Sequence, residues 1–148
     1  MLFLVGGQNS FFGRIEYFFQ ASADGVMVAE NHFSNMINNL IDNAIKYSKE
    51  DPLIKITTRN NGNKFFIIQI EDNGIGMNKE TVRRVFEKFY RAHTGNVHNV
   101  KGFGLGMSYV KTVLDAHNGR IKVSSIVGKG STFTIELPMI QKAVEAID

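Results

Sequence analysis

Apolar residues at helical spacing dominate the chain between residues 33 and 45. They recur three or four positions apart, which places them along one face of a helix. The positions are Phe33, Met36, Ile37, Leu40, Ile41, Ala44 and Ile45. The opposite face carries four asparagines, among them Asn39 and Asn43, and the spacing of Asp42 and Lys46 allows a helical charge pair. The pattern therefore predicts one amphipathic helix with a strongly polar outer face.

Alternating apolar and polar residues predict strands on both sides of this helix. Two short strands, 14–19 and 25–28, are expected before the helix and are separated by a turn. A hairpin is expected after it, because residues 54–59 and 64–71 alternate around an Asn-Asn-Gly-Asn turn. A second hairpin, turning at residues 127–130, is expected near the C-terminal end.

Two further helices complete the predicted elements. A short helix is expected over residues 79–86, and a longer one begins at the glycine-rich segment 102–106 and ends near Gly119. Residues 89–103 show no sustained period, and such a stretch inside a domain is usually a functional lid. The order of elements predicts an α+β fold, a two-layer α/β sandwich in which a mixed, mainly antiparallel sheet packs against three helices.

The composition is that of one globular domain and excludes several kinds of site. The 148 residues are 43% hydrophobic and 21% charged, and a chain of this length buries a core without a covalent staple. The absence of cysteine excludes disulfides, thiolate nucleophiles and cysteine-based zinc sites. The net charge of +3 suits a phosphorylated ligand but is too weak to indicate nucleic acid. We expect the domain to span residues 14–140, with a linker remnant or fragment edge at 1–13 and a tail at 141–148.

Asn39 and Asn43 are the first candidate ligand contacts. They lie four residues apart on the predicted helix, so their side chains project in the same direction. Amide oxygens are ligands that Mg²⁺ accepts while it keeps several waters. The pair therefore suits a nucleotide-bound Mg²⁺, and a solvated polar face is the alternative interpretation.

Two glycine-containing motifs add further candidates. Asp72 ends a predicted strand and precedes two glycines, which suits a carboxylate that accepts a hydrogen bond from the exocyclic amine of a flat ligand such as adenine. The alternating glycines of 102–106 enter a helix, where exposed backbone N–H groups bind phosphate. This segment matches neither a P-loop nor the dinucleotide fingerprint. Taken singly, the first motif is a common turn and the second a flexible hinge.

Five segments, taken in order, resemble the conserved boxes of sensor histidine kinases. Residues 39–48 resemble the N box, 72–77 the G1 box, 86–91 the F box and 102–106 the G2 box, and 128–133 resemble the closing glycine-turn strand. The resemblance covers residues 14–138. It implies the Bergerat fold, which type II topoisomerases, mismatch-repair ATPases and chaperone ATPases share, and it implies ATP and Mg²⁺ as ligands.

The resemblance also implies roles at the phosphate end of the nucleotide. Asn43 is expected to coordinate Mg²⁺ on the ATP phosphates, Asn39 to support that site and Lys46 to approach phosphate, and these three form the expected catalytic group. Arg91 and Lys101 are candidate phosphate cations, with solvated loop charges as the alternative. The residues expected to wrap the triphosphate are Gly102, Gly104, Leu105 and Gly106.

At the base end, the resemblance implies that Asp72 binds the adenine amino group, with Thr132 nearby through water. Tyr47 is expected to approach the nucleoside, and helix-end packing is its alternative role. Phe89 is expected to anchor the base of the lid, whereas packing in the core is the alternative for Phe86 and Phe89. The residues expected to shape the adenine pocket are Gly74, Gly76 and Met77.

The identity of residue 39 indicates which reaction the resemblance implies. Hydrolysing members of the superfamily place a general-base Glu where this chain has Asn39, and an amide cannot accept a proton at neutral pH. We therefore expect transfer of the γ-phosphoryl group to a histidine supplied elsewhere, because none of His32, His93, His98 and His117 has the context of a phosphoacceptor.

The expected partners follow from this interpretation. They are the protein's own dimerisation and phosphoacceptor domain and a response regulator, within a full-length homodimer. We expect a cytoplasmic domain of a protein anchored in the bacterial inner membrane, without direct membrane contact by this domain and without nucleic acid. A free-standing anti-sigma-type serine kinase and an inactive nucleotide-binding scaffold of the same fold are the alternatives.

Overall fold

A computed structural model describes residues 14–20, 26–92 and 102–140. These ranges contain five strands and three helices, beginning with a strand and ending with a hairpin. In chain order they are β1 (Arg14–Gln20), α1 (Glu30–Lys46), β2 (Leu53–Asn61), β3 (Phe65–Asp72), α2 (Lys79–Arg84), α3 (Gly106–Ala116), β4 (Arg120–Ile126) and β5 (Gly130–Pro138).

The strands form one sheet in the order β1-β2-β3-β5-β4. β1 runs parallel to β2, and the other three neighbouring pairs are antiparallel. The register of β3 with β5 places Asp72 opposite Ser131 at the edge where β3 ends. The predicted α+β sandwich with a mixed, mainly antiparallel sheet is thus confirmed.

The core lies between this sheet and the apolar faces of α1 and α3. Met36 and Leu40 of α1 and Val110 and Leu114 of α3 are fully or almost fully buried, as the helical spacing predicted. Strand alternation supplies the opposing layer, in which Ile135 is completely buried. Each such side chain contributes about 1.5–3 kcal/mol of burial free energy, so the core fixes α1 and α3 against the sheet.

Three local predictions differ from the structure. The predicted strand 25–28 is reduced to one bridge between Val26 and Met139, because the chain enters α1 at Glu30. The α2 helix ends at Arg84 rather than at residue 86, and Glu87 closes a turn on the Arg84 carbonyl. The Asp42–Lys46 charge pair is not among the ion pairs of residues 26–92.

The end of α3 also differs in its detail. The helix stops at Ala116, and Asn118 rather than Gly119 adopts the left-handed conformation, with φ of 54°. Asparagine tolerates this conformation, and the Gly119 N–H then donates to the carbonyl of Leu114 at 2.7 Å.

Several sequence-based predictions concern residues outside the described ranges. They are the segments 1–13 and 141–148, the first turn, most of the predicted lid, Lys101, His93 and His98. Among the helices that are described, none has the length and apolar character needed to cross a membrane.

Candidate functional site

A cavity of about 310 Å³ opens beside α1, the loop after β3 and the segment that leads into α3. Most of the predicted site residues line it, although they come from four separate motifs. Those that line it are Asn39, Asn43, Lys46, Tyr47, Asp72, Gly76, Met77, Arg91, Gly102, Gly104, Leu105 and Gly106. The fold therefore assembles the N, G1, F and G2 motifs around one space.

Asp72 lies at the end of the cavity where the adenine base is expected, which is called the base end. Its Oδ1 accepts hydrogen bonds from the backbone N–H groups of Gly74, at 2.8 Å, and Ser131, at 3.3 Å. Its Oδ2 has no hydrogen-bond partner among the described residues, which leaves an acceptor for a ligand donor. Burial raises the pKa of the Asp72 carboxyl above its ordinary value, and the two backbone hydrogen bonds oppose that shift.

Gly74 and Gly76 lie so close to neighbouring backbone atoms that a side chain at either position would collide with them. A Cβ on Gly74 would lie 2.5 Å from the Tyr47 carbonyl oxygen, which also accepts a hydrogen bond from Ile75 at 3.0 Å. Gly76 has φ of 68°, and a Cβ there would overlap the carbonyl oxygen of Ile126. Gly74 therefore lies against the backbone at the end of α1 rather than on the cavity wall, whereas Tyr47 lines the cavity.

Ser131, rather than Thr132, lines the base end of the cavity. Successive residues of a strand face opposite sides of the sheet, so only one of these two neighbours can face the cavity. Ser131 is opposite Asp72, whereas Thr132 is opposite Glu71. The register of β3 with β5 therefore determines that Ser131 faces the cavity, and the sequence motif alone does not indicate this register.

The polar face of α1 lies at the other end of the cavity, where the phosphates are expected and which is called the phosphate end. The Asn39 amide nitrogen donates to the Asn35 carbonyl at 2.8 Å, which leaves Oδ1 as its free acceptor. A Cβ on Gly106 would lie 2.7 Å from that oxygen. The Asn43 side chain has no hydrogen-bond partner in the described part of the chain. The amide oxygens of Asn39 and Asn43, in the second half of α1, are therefore not used by hydrogen bonds within the helix.

This end fits a Mg²⁺–phosphate group on its donor chemistry. Asn39 and Asn43 supply oxygen ligands, and Mg²⁺ binds one or two protein oxygens together with phosphate and water. Lys46 Nζ lies 3.5 Å from the position that a Gly102 Cβ would take, so the ammonium and the glycine segment share one wall. The backbone N–H groups where α3 begins suit phosphate.

Phe89 does not line this cavity and is not in the core. Its side chain is 71% exposed and borders an adjoining cavity of about 390 Å³ beside α2. The left-handed φ of 64° turns the side chain outward, so the core interpretation of Phe89 is wrong. Its backbone N–H donates to the Gly104 carbonyl at 2.9 Å, which joins the F motif to the G2 motif. Phe86, in contrast, is half-buried and meets Phe133 edge-on at 6.5 Å.

Sequence reasoning missed several other wall residues. Most of them are direct sequence neighbours of predicted site residues, and this adjacency is the feature of the sequence that could have indicated them. They are Asp42, Ile75, Thr81, Val85, Tyr90, Ala92, Phe103, Met107 and Ser131. Thr81 and Tyr90 form a hydrogen-bonded pair, in which the Tyr90 hydroxyl donates to Thr81 Oγ1 at 3.2 Å.

Comparison with known proteins shows similarity to histidine kinases and related ATPases. Residues 28–141 match the model of the family described as histidine kinase-, DNA gyrase B-, and HSP90-like ATPase. The chain is 45% identical over 131 residues to the sensor protein RprX of Bacteroides fragilis, which covers 87% of this chain and 25% of RprX. It is 35% identical over 114 residues to the sensor histidine kinase WalK of Bacillus subtilis, which covers 76% of this chain and 19% of WalK.

A solved structure gives the same result for the fold. The mycobacterial sensor histidine kinase MprB superposes with a TM-score of 0.74 at 24% identity, over 86% of each chain. The chain spans a quarter or less of the length of the two curated relatives. Because the matched family is one of ATPases, membership implies a domain that binds ATP. With the family model matched from residue 28 to residue 141, this chain belongs to the histidine kinase-, DNA gyrase B- and HSP90-like ATPases.

Proposed function

We propose that this chain is the ATP-binding catalytic domain of a sensor histidine kinase. The observation that carries the proposal is the single cavity in which the Asp72 carboxylate, the two α1 amides and the glycine segment 102–106 face one another. A carboxylate acceptor for the base and amide oxygens for a metal–phosphate group are the two kinds of group that the ends of a nucleoside triphosphate require.

The residues have distinct roles in this proposal. The free Oδ2 of Asp72 accepts a hydrogen bond from the adenine amino group. Asn43 would hold Mg²⁺, with support from Asn39. Mg²⁺, when bound, neutralises negative charge on the phosphate oxygens. Lys46 and Arg91 add positive charge, and the backbone from Gly102 to Gly106 holds the phosphates. Positioning and charge neutralisation therefore supply most of the catalysis.

Asn39 favours phosphoryl transfer over hydrolysis. Its amide nitrogen is held by the Asn35 carbonyl, and an amide oxygen cannot act as the general base that activates water. The γ-phosphoryl group would instead pass to a histidine of a separate dimerisation domain and then to a response regulator. His32 and His117 lie elsewhere, since neither lines the cavity.

The wider assignment rests on the relatives. RprX is a sensor protein and WalK a sensor histidine kinase, and this chain spans a quarter or less of each. We therefore place the chain in a homodimeric two-component sensor, as its cytoplasmic domain, with the full-length protein anchored in the bacterial inner membrane.

Radiolabelling tests the proposed reaction. The full-length protein that carries this chain is incubated with Mg²⁺ and γ-labelled ATP, and the label on protein is tested for stability in acid and in base. Phosphohistidine is labile in acid and stable in base, and this is the result we expect. Asn43→Ala should abolish the label, whereas Asn38→Ala, which alters an exposed residue of the same helix, should retain it.

Other labelling outcomes would contradict the proposal in informative ways. Acid-stable label on serine of a partner protein would favour the anti-sigma-type kinase. Binding of ATP without any label on protein would favour an inactive scaffold. Rapid release of phosphate without protein label would show a hydrolase and would contradict the role given to Asn39.

A further inference from the structure

The loop at the base end of the cavity is hydrogen-bonded to the β4–β5 hairpin. The Met77 N–H donates to Ser125 Oγ at 2.7 Å, and the Gly128 N–H donates to the Ile75 carbonyl at 2.7 Å. Lys49 adds a hydrogen bond from its ammonium to the Gly128 carbonyl. The loop from Asp72 to Met77 is therefore shaped by contacts to a hairpin that lies about fifty residues later in the chain.

Ser125 is the junction of these contacts. Its Oγ lies 2.9 Å from the Gly130 carbonyl and 2.9 Å from Ser131 Oγ, in addition to the contact with Met77. A serine hydroxyl has one donor and two acceptor positions. Donation to Gly130, with acceptance from Met77 and from the Ser131 hydroxyl, uses the whole capacity of the group. The Ser125 hydroxyl thus connects its own strand, β4, to the start of β5 and to the loop at Met77.

Ser125 does not line the cavity, but two of its partners do. Met77 and Ser131 are wall residues, and the Ser131 N–H also donates to Asp72 Oδ1 at 3.3 Å. The side chain of Ser125 therefore links the Met77 backbone to Ser131, whose N–H contacts the Asp72 carboxylate. No other described side chain contacts both Met77 N–H and Ser131 Oγ.

We infer that Ser125 is a positioning residue that sets the width and register of the adenine slot and thereby its preference for adenine over guanine. The inference rests on the proposed function, since it assigns the base to the slot between Asp72 and Met77. Discrimination between two bases is a difference of two affinities, and it depends on donors and acceptors held at fixed places. Loss of the hydroxyl would leave the Met77 N–H without its acceptor and let that wall move.

Paired substitutions at one position test this inference with the 148-residue chain. Ser125→Thr and Ser125→Val have nearly the same shape and differ by a hydroxyl against a methyl group, and β-branched residues suit a strand. Ser125→Ala removes the hydroxyl without adding bulk. Ser124→Ala is the matched control, because Ser124 is exposed and belongs to the same strand. Affinities for ATP, ADP and GTP are measured by calorimetric titration, and folding is monitored by thermal unfolding.

We expect Ser125→Ala and Ser125→Val to bind ATP and ADP about tenfold more weakly, with the ratio of the two affinities unchanged. The preference for ATP over GTP should fall by roughly threefold or more, because a displaced wall discriminates less. Ser125→Thr should retain most of the affinity and preference, and Ser124→Ala should match the wild type within about twofold.

An unchanged preference for ATP over GTP in a folded Ser125→Val variant would overturn the inference, even if its unfolding temperature falls. Equal behaviour of the Thr and Val variants would also overturn it, because the hydroxyl would then have no role. If Ser125→Val and Ser125→Ala do not fold, Ser125→Cys takes their place, because a thiol is a weaker hydrogen-bonding group, and a wild-type preference in that folded variant overturns the inference. Absence of ATP binding by the wild type would overturn the proposed function itself.

Discussion

The two ends of the cavity are built in different ways. At the base end, Asp72 Oδ1, the Met77 N–H and the Ser125 hydroxyl all have protein partners within 3.3 Å. At the phosphate end, the Asn43 amide has none among the described residues, and Leu105 is 43% exposed. The base end is therefore formed before a ligand arrives, whereas the phosphate end offers groups that a ligand must satisfy.

This difference has a consequence for binding. A preformed surface costs little ordering on association, so the base end should contribute affinity that does not depend on metal. The groups at the phosphate end that have no protein partner contribute only when phosphate and Mg²⁺ are present. The following substitutions test one end at a time, from the largest expected effect to the smallest.

Gly76→Ala should have the largest effect, because it breaks the base end itself. The added Cβ would overlap the Ile126 carbonyl oxygen, so the loop must leave the hairpin. We expect the free energy of unfolding to fall by about 3 kcal/mol and nucleotide binding to be lost. Denaturant unfolding and titration measure the two effects.

Gly128→Ala is the matched control for this substitution. Gly128 also has a left-handed φ, of 82°, but a Cβ there meets no atom within 4 Å. It should cost only the conformational strain, about 1–2 kcal/mol, and should retain binding. Equal losses in the two variants would show that close approach at Gly76 is unimportant.

Asp72→Asn should weaken ATP binding by about 100-fold, because the amide group cannot replace both acceptor oxygens of the carboxylate. The loss should be the same for ATP and for adenosine, and the same with and without Mg²⁺. Glu71→Gln is the control, since this neighbouring carboxylate pairs with Lys55 and does not line the cavity. A variant that loses ATP affinity but keeps adenosine affinity would contradict the assignment of Asp72 to the base.

Asn43→Ala should weaken the binding of Mg-ATP by roughly tenfold and leave adenosine binding unchanged, because it removes a ligand at the phosphate end alone. Titrations with and without Mg²⁺ measure the effect, with Asn38→Ala as the control on the exposed side of α1. An equal loss for adenosine would mean that the two ends are not independent.

Lowering the pH protonates Asp72, which should favour the folded state and should weaken ATP binding. Burial raises the pKa of this carboxyl in the folded chain, so the folded state binds the proton more tightly than the unfolded chain does. The contribution of Asp72 to stability is therefore full below the ordinary pKa of aspartate and is lost as pH rises through the raised value. ATP affinity should instead fall by about threefold or more as pH decreases through the raised pKa, because the protonated carboxyl loses its acceptor charge.

Asp72→Asn provides the control for this pH dependence. The variant should show a flatter affinity profile between neutral and acidic pH, and a smaller stability change over the same range. An unchanged pH profile in the variant would assign the titration to another group.

Much of the fold was accessible from the sequence because its signals are local. The apolar period of α1 and the alternation of β2 and β3 predicted the buried residues Met36, Leu40 and Ile70. The Asn-Asn-Gly-Asn turn predicted the hairpin between the two strands. Asp72 and Asn43, which both line the cavity, could be selected because each lies in a motif whose residue types suit one chemistry.

The features that could not be predicted depend on contacts between distant segments. The choice between Ser131 and Thr132 follows from the register of β5 on β3, which the strand pattern leaves undefined. The outward direction of Phe89 follows from a left-handed φ that is unusual for an aromatic residue. The role of Ser125 follows from a hydrogen bond to Met77 across 48 positions of sequence.

The most direct test is a calorimetric titration of the 148-residue chain with a non-hydrolysable ATP analogue and with adenosine, each with and without Mg²⁺. We predict that the analogue binds in the micromolar range, about −8 kcal/mol, and binds more weakly when Mg²⁺ is removed. Adenosine should bind with an affinity that Mg²⁺ does not change. Absence of binding at millimolar analogue, or adenosine binding that requires Mg²⁺, would contradict the account of a preformed base end and a metal-dependent phosphate end.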